Sequence, residues 1–132
     1  MKSKVTTYNH GAGSAEANAI ISQGYRINDT IYISGQYSHD MKGVIVGAGD
    51  FDAQARQTLE NIDRVLAGFN VKRSNIADLV VYLTSPREQS EPLMPIMQEH
   101  LGDHRPAATV IGTTGLYYPE QLIEIRVVAH TD

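Results

Sequence analysis

The spacing of apolar residues along the chain predicts two helices. After Asp50, apolar side chains recur every three or four positions, which is the period of an amphipathic helix with one buried face. Asp50 suits the N-cap of this helix, and Gly68 lies near its end. A second apolar stripe runs from Leu93 to Leu101, and Gly102 ends it.

The prolines suggest where the second helix begins. Pro92 and Pro95 both lack the backbone N–H that a helix interior uses, so we expect both of them in the first turn. The second helix is therefore expected to begin near Pro92.

The strands are predicted from β-rich runs between turn residues. Residues 19–27 and 30–36 flank Asn28-Asp29, and because these two residue types tolerate positive φ, the three segments predict a tight hairpin. Further strands are predicted at 44–46, a short one in a glycine-rich loop, and at 79–83, 107–113 and 122–129.

This order of elements predicts an α/β (α+β) fold, with a single mixed β-sheet and two helices on one face. We expect a single domain over residues 1–132. No third helix is predicted to cover the other face of the sheet. Self-association through that face is therefore expected.

Composition narrows the functional classes. The chain has 132 residues, 42% of them hydrophobic, and a net charge of −4, so it can build one core but has no basic stripe for nucleic acid. It contains no cysteine, which excludes disulfides, thiolate chemistry and cysteine-ligated metals. The first residues lack a signal-peptide apolar run, and no stretch is long enough to cross a bilayer. We expect a cytoplasmic protein that binds neither membranes nor nucleic acid.

One pair of histidines has a spacing that metal sites use. His100 and His104 are four residues apart, which on a helix could bind zinc. Gly102 interrupts the helix between them, so we expect these histidines to cap the helix C-terminus instead. The sequence predicts no metal and no cofactor.

Several stretches, taken with this order of elements, resemble the Rid family (reactive intermediate/imine deaminase, RidA/YjgF-like). The resemblance covers residues 19–130. The matching stretches are Ser34-Gly35-Gln36, residues 54–62 on the first helix, Val81-Tyr82-Leu83-Thr84, residues 104–109 and Ile123-Glu124-Ile125.

The resemblance implies a chorismate-mutase-like or YjgF-like fold that assembles as a homotrimer, with small-molecule clefts between adjacent subunits. In deaminating members, an arginine holds the substrate carboxylate, and a carboxylate near the last strand positions water against an enamine or imine carbon. The products are a keto acid and ammonia.

Some of these groups have counterparts here and others do not. The resemblance assigns catalytic roles to Glu124 and Ser34. Ala108 stands at the position of the arginine, and Ile21 at that of a tyrosine which many members carry, so the chain resembles a divergent branch. Arg105 lies three residues before Ala108, and an odd separation on a strand would point it to the opposite face.

The candidate residues also have simpler interpretations. Glu124 could act as a general base or could pair with Arg126, which in turn could replace the missing anion-binding group or form an intersubunit ion pair. Ser34, with Gly35 after it, could donate to a ligand oxygen or be an ordinary strand-end hydroxyl. Residues that could line the cleft, or could simply be β-formers and loop, include Thr109, Tyr117 and Tyr118.

Three functions follow from these alternatives. The first is hydrolysis of an enamine, an imine or a related reactive metabolite to a carbonyl compound and ammonia. The second is a non-catalytic small-ligand binder that keeps the cleft and has lost the chemistry. The third, RNA cleavage or binding, is the least favoured because of the acidic balance of charge.

Overall fold

The computed structural model of the protein describes residues 3–9 and 20–132. Within these ranges the chain forms one six-stranded sheet and two α-helices, as the pattern predicted, and a short 3-10 turn at Arg73–Asn75. The elements are β1 (Val5–Tyr8), β2 (Gly24–Ile27), β3 (Thr30–Gln36), α1 (Phe51–Gly68), β4 (Ile76–Leu83), α2 (Pro86–Leu101), β5 (Ala107–Gly112) and β6 (Ile123–His130).

The strand order across the sheet is β1-β2-β3-β6-β4-β5. Neighbouring strands are antiparallel except β4 and β5, which are parallel and connected through α2. Because β6 lies between β3 and β4, α1 also connects two strands of the same direction. Such crossovers are right-handed, and both progress toward the β5 edge, so the two helices cover the same face of the sheet.

The predicted hairpin is confirmed, with a shorter first strand. Asn28 has a positive φ of 52° in the turn, as its residue type allows. β2 begins only at Gly24, whereas the predicted start at residue 19 lies outside the described residues. β1 was not predicted, because Val5 is the one aliphatic residue in this short and largely exposed strand.

Helix α1 follows its prediction closely. The Asp50 carboxylate accepts a hydrogen bond from the Ala53 N–H at 3.1 Å, which makes it the N-cap. At the other end the ring of Tyr8 lies over Gly68, where a Cβ atom would be only 2.4 Å from that ring. Tyr8 also meets Phe69 edge-on, with ring centroids 5.8 Å apart. These contacts attach β1 to the end of the helix.

The prediction that α2 begins near Pro92 is wrong. The helix begins six residues earlier at Pro86, which occupies the first turn, and both Pro92 and Pro95 lie inside it. The carbonyls that lose a donor belong to Glu88 and Glu91, which are exposed, so water can satisfy them. Neither helix of the described chain is both long and apolar enough to cross a bilayer.

The predicted short strand at 44–46 is also wrong. Only an isolated bridge between His39 and Ile45 is present there. The Asp40 carboxylate accepts hydrogen bonds from the backbone N–H groups of Lys42 and Val44 at 2.8 and 3.0 Å. Because Val44 is committed to this turn, the segment does not pair as a strand.

The core lies between the helices and one face of the sheet. In β6 the residues Ile123, Ile125 and Val127 are 0% exposed and point toward the helices. The residues between them point the other way, to what we call the open face. Strand register places on the open face Tyr25, Tyr32, Asp78, Val80, Tyr82, Thr109, Ile111, Glu124, Arg126 and Val128.

Candidate functional site

Glu124 is a half-buried carboxyl group on the open face. It lies between Ile123 and Ile125 in β6, opposite Tyr82 of β4 in the antiparallel register. Alternation along the strand therefore turns its side chain away from the core. The burial of Glu124 comes from the groups around it on the open face.

The carboxyl group of Glu124 lies across the neighbouring strand at Gly35. A Cβ atom at Gly35 would be 2.6 Å from the Oε2 atom of Glu124, closer than real side chains approach. The pairing of β3 with β6 is irregular between Ile33 and Gln36, so Gly35 sits at a bulge. A glycine at this position is what gives the carboxyl group its space.

Gln121 positions Glu124 from the loop before β6. Its side-chain amide donates to Glu124 Oε1 at 3.3 Å and accepts from the backbone N–H of Tyr118 at 3.1 Å. Gln121 is only 1% exposed. It therefore fixes the carboxyl group and the loop relative to each other, a role that the sequence did not predict.

Three tyrosines, Tyr37, Tyr117 and Tyr118, form a tyrosine cluster beside Glu124. The ring centroids of Tyr37 and Tyr118 are 5.6 Å apart, and those of Tyr117 and Tyr118 are 4.8 Å apart. Burial raises the pKa of Tyr37 to about 12, with contributions from Tyr118 and from the nearby Glu124. The Tyr37 hydroxyl therefore stays protonated at neutral pH. Sequence reasoning named two of these tyrosines and missed Tyr37.

The carboxyl group of Glu124 has a raised pKa and no cation beside it in the described part of the chain. Burial raises the pKa of its carboxyl group above the ordinary value, and the hydrogen bond from Gln121 opposes this only in part. Among residues 3–9 and 20–132, no cation lies within 4.0 Å of it. Arg126, two positions along β6, is exposed, and the ion pair considered as an alternative is not formed here.

Ser34 precedes Gly35 on β3, and both of its donors are in use. Its hydroxyl donates to the carbonyl of Ser22 at 2.6 Å, and its backbone N–H donates to the carbonyl of Gln23 at 2.9 Å. The hydroxyl oxygen keeps lone pairs that can accept a hydrogen bond. In this arrangement Ser34 can serve a ligand as an acceptor.

The protomer does not bring together all the predicted site residues. Ala108 pairs with Leu79, a core residue, so it lies on the helical side of the sheet, opposite to Glu124. Thr109 shares the open face, but β4 separates its strand from β6, a distance of about 10 Å. Ile21 lies before β2, is 51% exposed, and has no polar side-chain atom.

Arg105 lies before β5 rather than within it. Its guanidinium donates to the carbonyls of Gly102 and His104, at 2.5 and 3.0 Å. It therefore binds the end of α2 and its following turn. The prediction that it faces away from Ala108 on a shared strand does not apply, because β5 starts at Ala107.

Two buried amide side chains of α1 hold the loops around the site. Gln54 donates to the Glu120 carbonyl at 2.8 Å and accepts from the Leu122 N–H at 2.9 Å. Asn61 donates to the carbonyls of Tyr37 and His39 at 2.8 and 3.1 Å. These two polar residues lie seven positions apart on the apolar face of an amphipathic helix, a signal in the sequence that could have identified them.

The histidines proposed as helix caps make other contacts. His100 is buried between the helices, with its side chain 7% exposed, and its Nε2 atom lies 2.9 Å from the Asp63 carboxylate. His104 Nε2 lies 2.7 Å from the carbonyl of Ile76. Capping was therefore the wrong prediction for His100, because a carboxylate on α1 faces this position of α2.

Two hollows of the described chain lie on the helical side, away from Glu124. One, of about 310 Å³, is lined by Arg56, Leu59, Glu60, Asp63, Arg73, Ile96, Glu99 and His100. A second adjoins Asp63 and Arg73 from the other side. Neither of these two hollows is lined by Glu124.

Comparison with known proteins agrees with the resemblance seen in the sequence. The chain matches the family described as Endoribonuclease L-PSP over residues 13–131. It is 30% identical over 102 residues to the mitochondrial protein MMF1 of Saccharomyces cerevisiae, covering 76% of this chain and 68% of MMF1. A RutC family protein of Sulfurisphaera tokodaii is 28% identical over 107 residues, covering 81% of this chain and 84% of that protein.

Solved structures share the fold. Yeast Mmf1 superposes with a TM-score of 0.87 at 24% identity, covering 98% of this chain and 100% of the other. A member of the YjgF/YER057c/UK114 family from Mycobacterium tuberculosis gives a TM-score of 0.84 at 22% identity, covering 97% and 100%. The name of MMF1 places that protein in mitochondria, and the cytoplasmic location expected for this chain stays a prediction.

Proposed function

This chain belongs to the Endoribonuclease L-PSP family, the Rid or YjgF family of its motifs, and we propose that it hydrolyses a small imine, or the enamine tautomer of one, to a carbonyl compound and ammonia. The observation that carries the proposal is the half-buried carboxyl group of Glu124. It receives one amide hydrogen bond, from Gln121, and no cation pairs with it in the described chain. Burial raises its pKa, which brings the carboxyl group closer to the pH at which it can both accept and return a proton.

The reaction needs one group that moves a proton in both directions. The Glu124 carboxylate takes a proton from water while the water oxygen bonds to the imine carbon, and the C=N electron pair moves to nitrogen. Glu124 returns that proton to the nitrogen, which completes a neutral carbinolamine. The carboxylate then takes the hydroxyl proton of the carbinolamine and passes it to the nitrogen, so the C=O bond forms as the C–N bond breaks and ammonia leaves. The hydroxyl oxygen of Ser34 would accept a hydrogen bond from an N–H group of the substrate.

The proposed cleft needs more than one copy of the chain. Glu124 and Ala108 lie on opposite faces of one sheet, so they cannot line the same cavity within a protomer. We propose that the open face is shared in a homotrimer. In that assembly, β5 of one subunit would lie beside Glu124 and the tyrosine cluster of the next subunit. The exposed side chains of Tyr25, Tyr32 and Ile111 on that face support this assembly.

A second candidate is a small-ligand binder without catalysis. The specific observation in its favour is the shortage of donors for a carboxylate. Ala108 offers only a methyl group where the resemblance implies an arginine, and both donors of Ser34 are occupied by backbone carbonyls. A site with these changes could keep its cleft and lose the family reaction.

An ammonia-release assay separates the two candidates. The probe is 2-aminoacrylate, formed in situ by eliminating water from serine, and the rate is compared with the spontaneous rate. We expect the unmodified protein to accelerate release only slightly, because no described cation lies at Glu124 to hold the carboxylate of this probe. Glu124→Gln should abolish that acceleration, and Ala108→Arg should increase it about tenfold or more, since a guanidinium would hold the carboxylate.

The outcomes point to different functions. Glu99→Gln, at an exposed ion pair on the helical side, is the matched control and should behave like the unmodified protein. If only Ala108→Arg accelerates release, this chain is the non-catalytic binder. If Glu124→Gln retains the full acceleration, Glu124 is not the proton-transfer group and the mechanism is wrong.

RNA cleavage, which the family description names, has less support in this chain. The net charge is −4, and the carboxyl group proposed for the site would repel phosphates. We therefore propose hydrolysis of a small molecule rather than of RNA.

A further inference from the structure

Within the described part of one protomer, the groups around Glu124 are acidic, aromatic or neutral. The carboxyl group has no ion-pair partner there, and Tyr37, which packs against Tyr118, lies near it. The hydroxyl of Ser34 donates its hydrogen bond to the Ser22 carbonyl, so it can offer a ligand only the lone pairs of its oxygen. We propose that this site selects an aromatic organic cation, an iminium or ammonium ion that carries no carboxylate.

This inference rests on the proposed function, because it names the substrate class of the same site. The carboxylate supplies the charge recognition. A ligand N–H that donates to Glu124 would form a charge-assisted hydrogen bond in a half-buried setting, where such bonds are strongest. A ligand carboxylate would instead meet a like charge with no cation within 4.0 Å of Glu124 to offset it.

Arg126 is the cation that could argue for an anionic ligand. It lies on the open face two positions from Glu124, aligned with Val80 of β4. Its side chain is exposed, and it makes no ion pair with Glu124. The local charge that a ligand meets at Glu124 is therefore set by the carboxyl group.

The tyrosine cluster supplies recognition of an aromatic ring. Tyr37 and Tyr118 are packed at 5.6 Å, and the backbone N–H of Tyr118 is held by Gln121, so their positions are fixed relative to Glu124. Tyr117 packs edge-on against Tyr118 but is 85% exposed. Its free ring area can stack on a ligand ring, while a cation near these faces gains a cation–π interaction.

The reaction on such a substrate balances without a further reactant. An iminium ion R–CH=NH₂⁺ and water give the aldehyde R–CHO and NH₄⁺, with a C=O bond in place of the C=N bond. In the carbinolamine the nitrogen is neutral, because Glu124 then holds the proton taken from water, and the positive charge returns to nitrogen as ammonium forms. The group left beside Glu124 at the end of the reaction is again a cation, ammonium.

Binding measurements with four related probes test the ligand class. The probes are 2-phenylethylamine (aromatic cation), phenylalanine (the same frame with a carboxylate), 3-phenylpropionate (aromatic anion) and butylamine (cation without a ring). Calorimetric titration at about pH 8 keeps the carboxyl group ionised and the amines protonated. We expect 2-phenylethylamine to bind at least about tenfold more tightly than each of the other three.

Variants assign the selectivity to named groups. Glu124→Gln should weaken 2-phenylethylamine about tenfold or more and leave 3-phenylpropionate unchanged or tighter. Tyr118→Leu should weaken 2-phenylethylamine more than butylamine, because only the former loses ring stacking in addition to the cation–π interaction. Glu99→Gln, on the helical side, should change none of the four affinities. These opposite responses are not expected from a general loss of folding, which would weaken every probe.

Two results would overturn the inference. One is binding of 3-phenylpropionate or phenylalanine as tightly as 2-phenylethylamine, and the other is no binding of 2-phenylethylamine at millimolar concentration. Both are separate from the ammonia assay. Acceleration of ammonia release without amine selectivity would leave the hydrolysis standing and remove the ligand class. Amine selectivity without release from 2-aminoacrylate would keep the ligand class and remove hydrolysis of that carboxylate-bearing probe.

Discussion

Two half-buried carboxyl groups on opposite sides of the sheet have very different hydrogen-bond partners. Asp63, on the helical side, receives Arg73 at 2.7 Å and His100 at 2.9 Å. Burial alone would raise its pKa, but these hydrogen bonds outweigh burial and leave the pKa below its ordinary value. Glu124, on the open face, has only the amide of Gln121, and burial leaves its pKa above the ordinary value.

The difference separates a structural carboxylate from a candidate for chemistry. A buried charge that is paired contributes to holding elements together, and Asp63 joins α1 to α2 and to the turn before β4. A buried carboxyl group without a cation keeps its proton affinity available for a reaction. A half-buried acidic residue therefore contributes to stability on the helical side of the sheet and is a candidate for catalysis on the open face.

The largest expected effect is on catalysis at Glu124. Glu124→Gln keeps the size of the side chain and removes proton transfer. The protein-dependent rate of ammonia release should therefore fall by about 10²–10⁴-fold. Its melting temperature should not fall, because the replacement removes a poorly compensated charge. Rate assays and thermal unfolding on the same preparation check both parts. A variant that unfolds at lower temperature and keeps its rate would reverse the assignment of the two carboxyl groups.

Asp63→Asn should show the opposite profile. Loss of its charge-assisted hydrogen bonds to Arg73 and His100 should lower the free energy of unfolding by roughly 1–3 kcal/mol. The rate should be unchanged, since Asp63 lies on the helical side. Urea unfolding at one protomer concentration measures the change. Glu99→Gln, which removes an ion pair that is mostly exposed, should cost less than about 1 kcal/mol.

The pH dependence of stability should differ in sign between the two sites. The folded-state pKa of Asp63 is lowered, so its contribution is present above the ordinary aspartate pKa and is lost as pH falls through the folded pKa. The folded-state pKa of Glu124 is raised, so stability declines as pH rises from the ordinary glutamate pKa to the folded one.

Unfolding curves between about pH 3 and pH 8 measure these two slopes. The stability deficit of Asp63→Asn should shrink toward the acidic end, whereas Glu124→Gln should gain on the unmodified protein toward the neutral end. Equal slopes for both variants would show that the two carboxyl groups do not differ in the way the contacts indicate.

The sequence predicted most elements because their signals are local. The three-and-four spacing in α1, with Asp50 as its cap, and the alternation in β6 both depend on residues close in the chain. β1 has no such pattern. It forms because it pairs with β2 and because its Tyr8 packs against Phe69 at the end of α1. The start of α2 was misplaced because water can satisfy carbonyls that an internal proline leaves free.

The site was predicted only in part, for a similar reason. Glu124, Ser34 and the two tyrosines of the loop were identified from motifs and resemblance. Tyr37 and Gln121 were missed, because their roles arise from contacts between separate loops. The placement of Ala108 on the face opposite Glu124 depends on strand register, which the linear sequence does not give.

The anchoring of the last loop by α1 has a consequence for protein engineering. Gln54 binds the backbone on both sides of Gln121, which in turn binds Tyr118, so the stretch from Tyr118 onward is clamped. The residues just before it, Thr114 to Tyr117, carry none of these clamps. Insertions and randomised libraries placed there are therefore expected to vary the surface beside Glu124 while its hydrogen bond from Gln121 is kept.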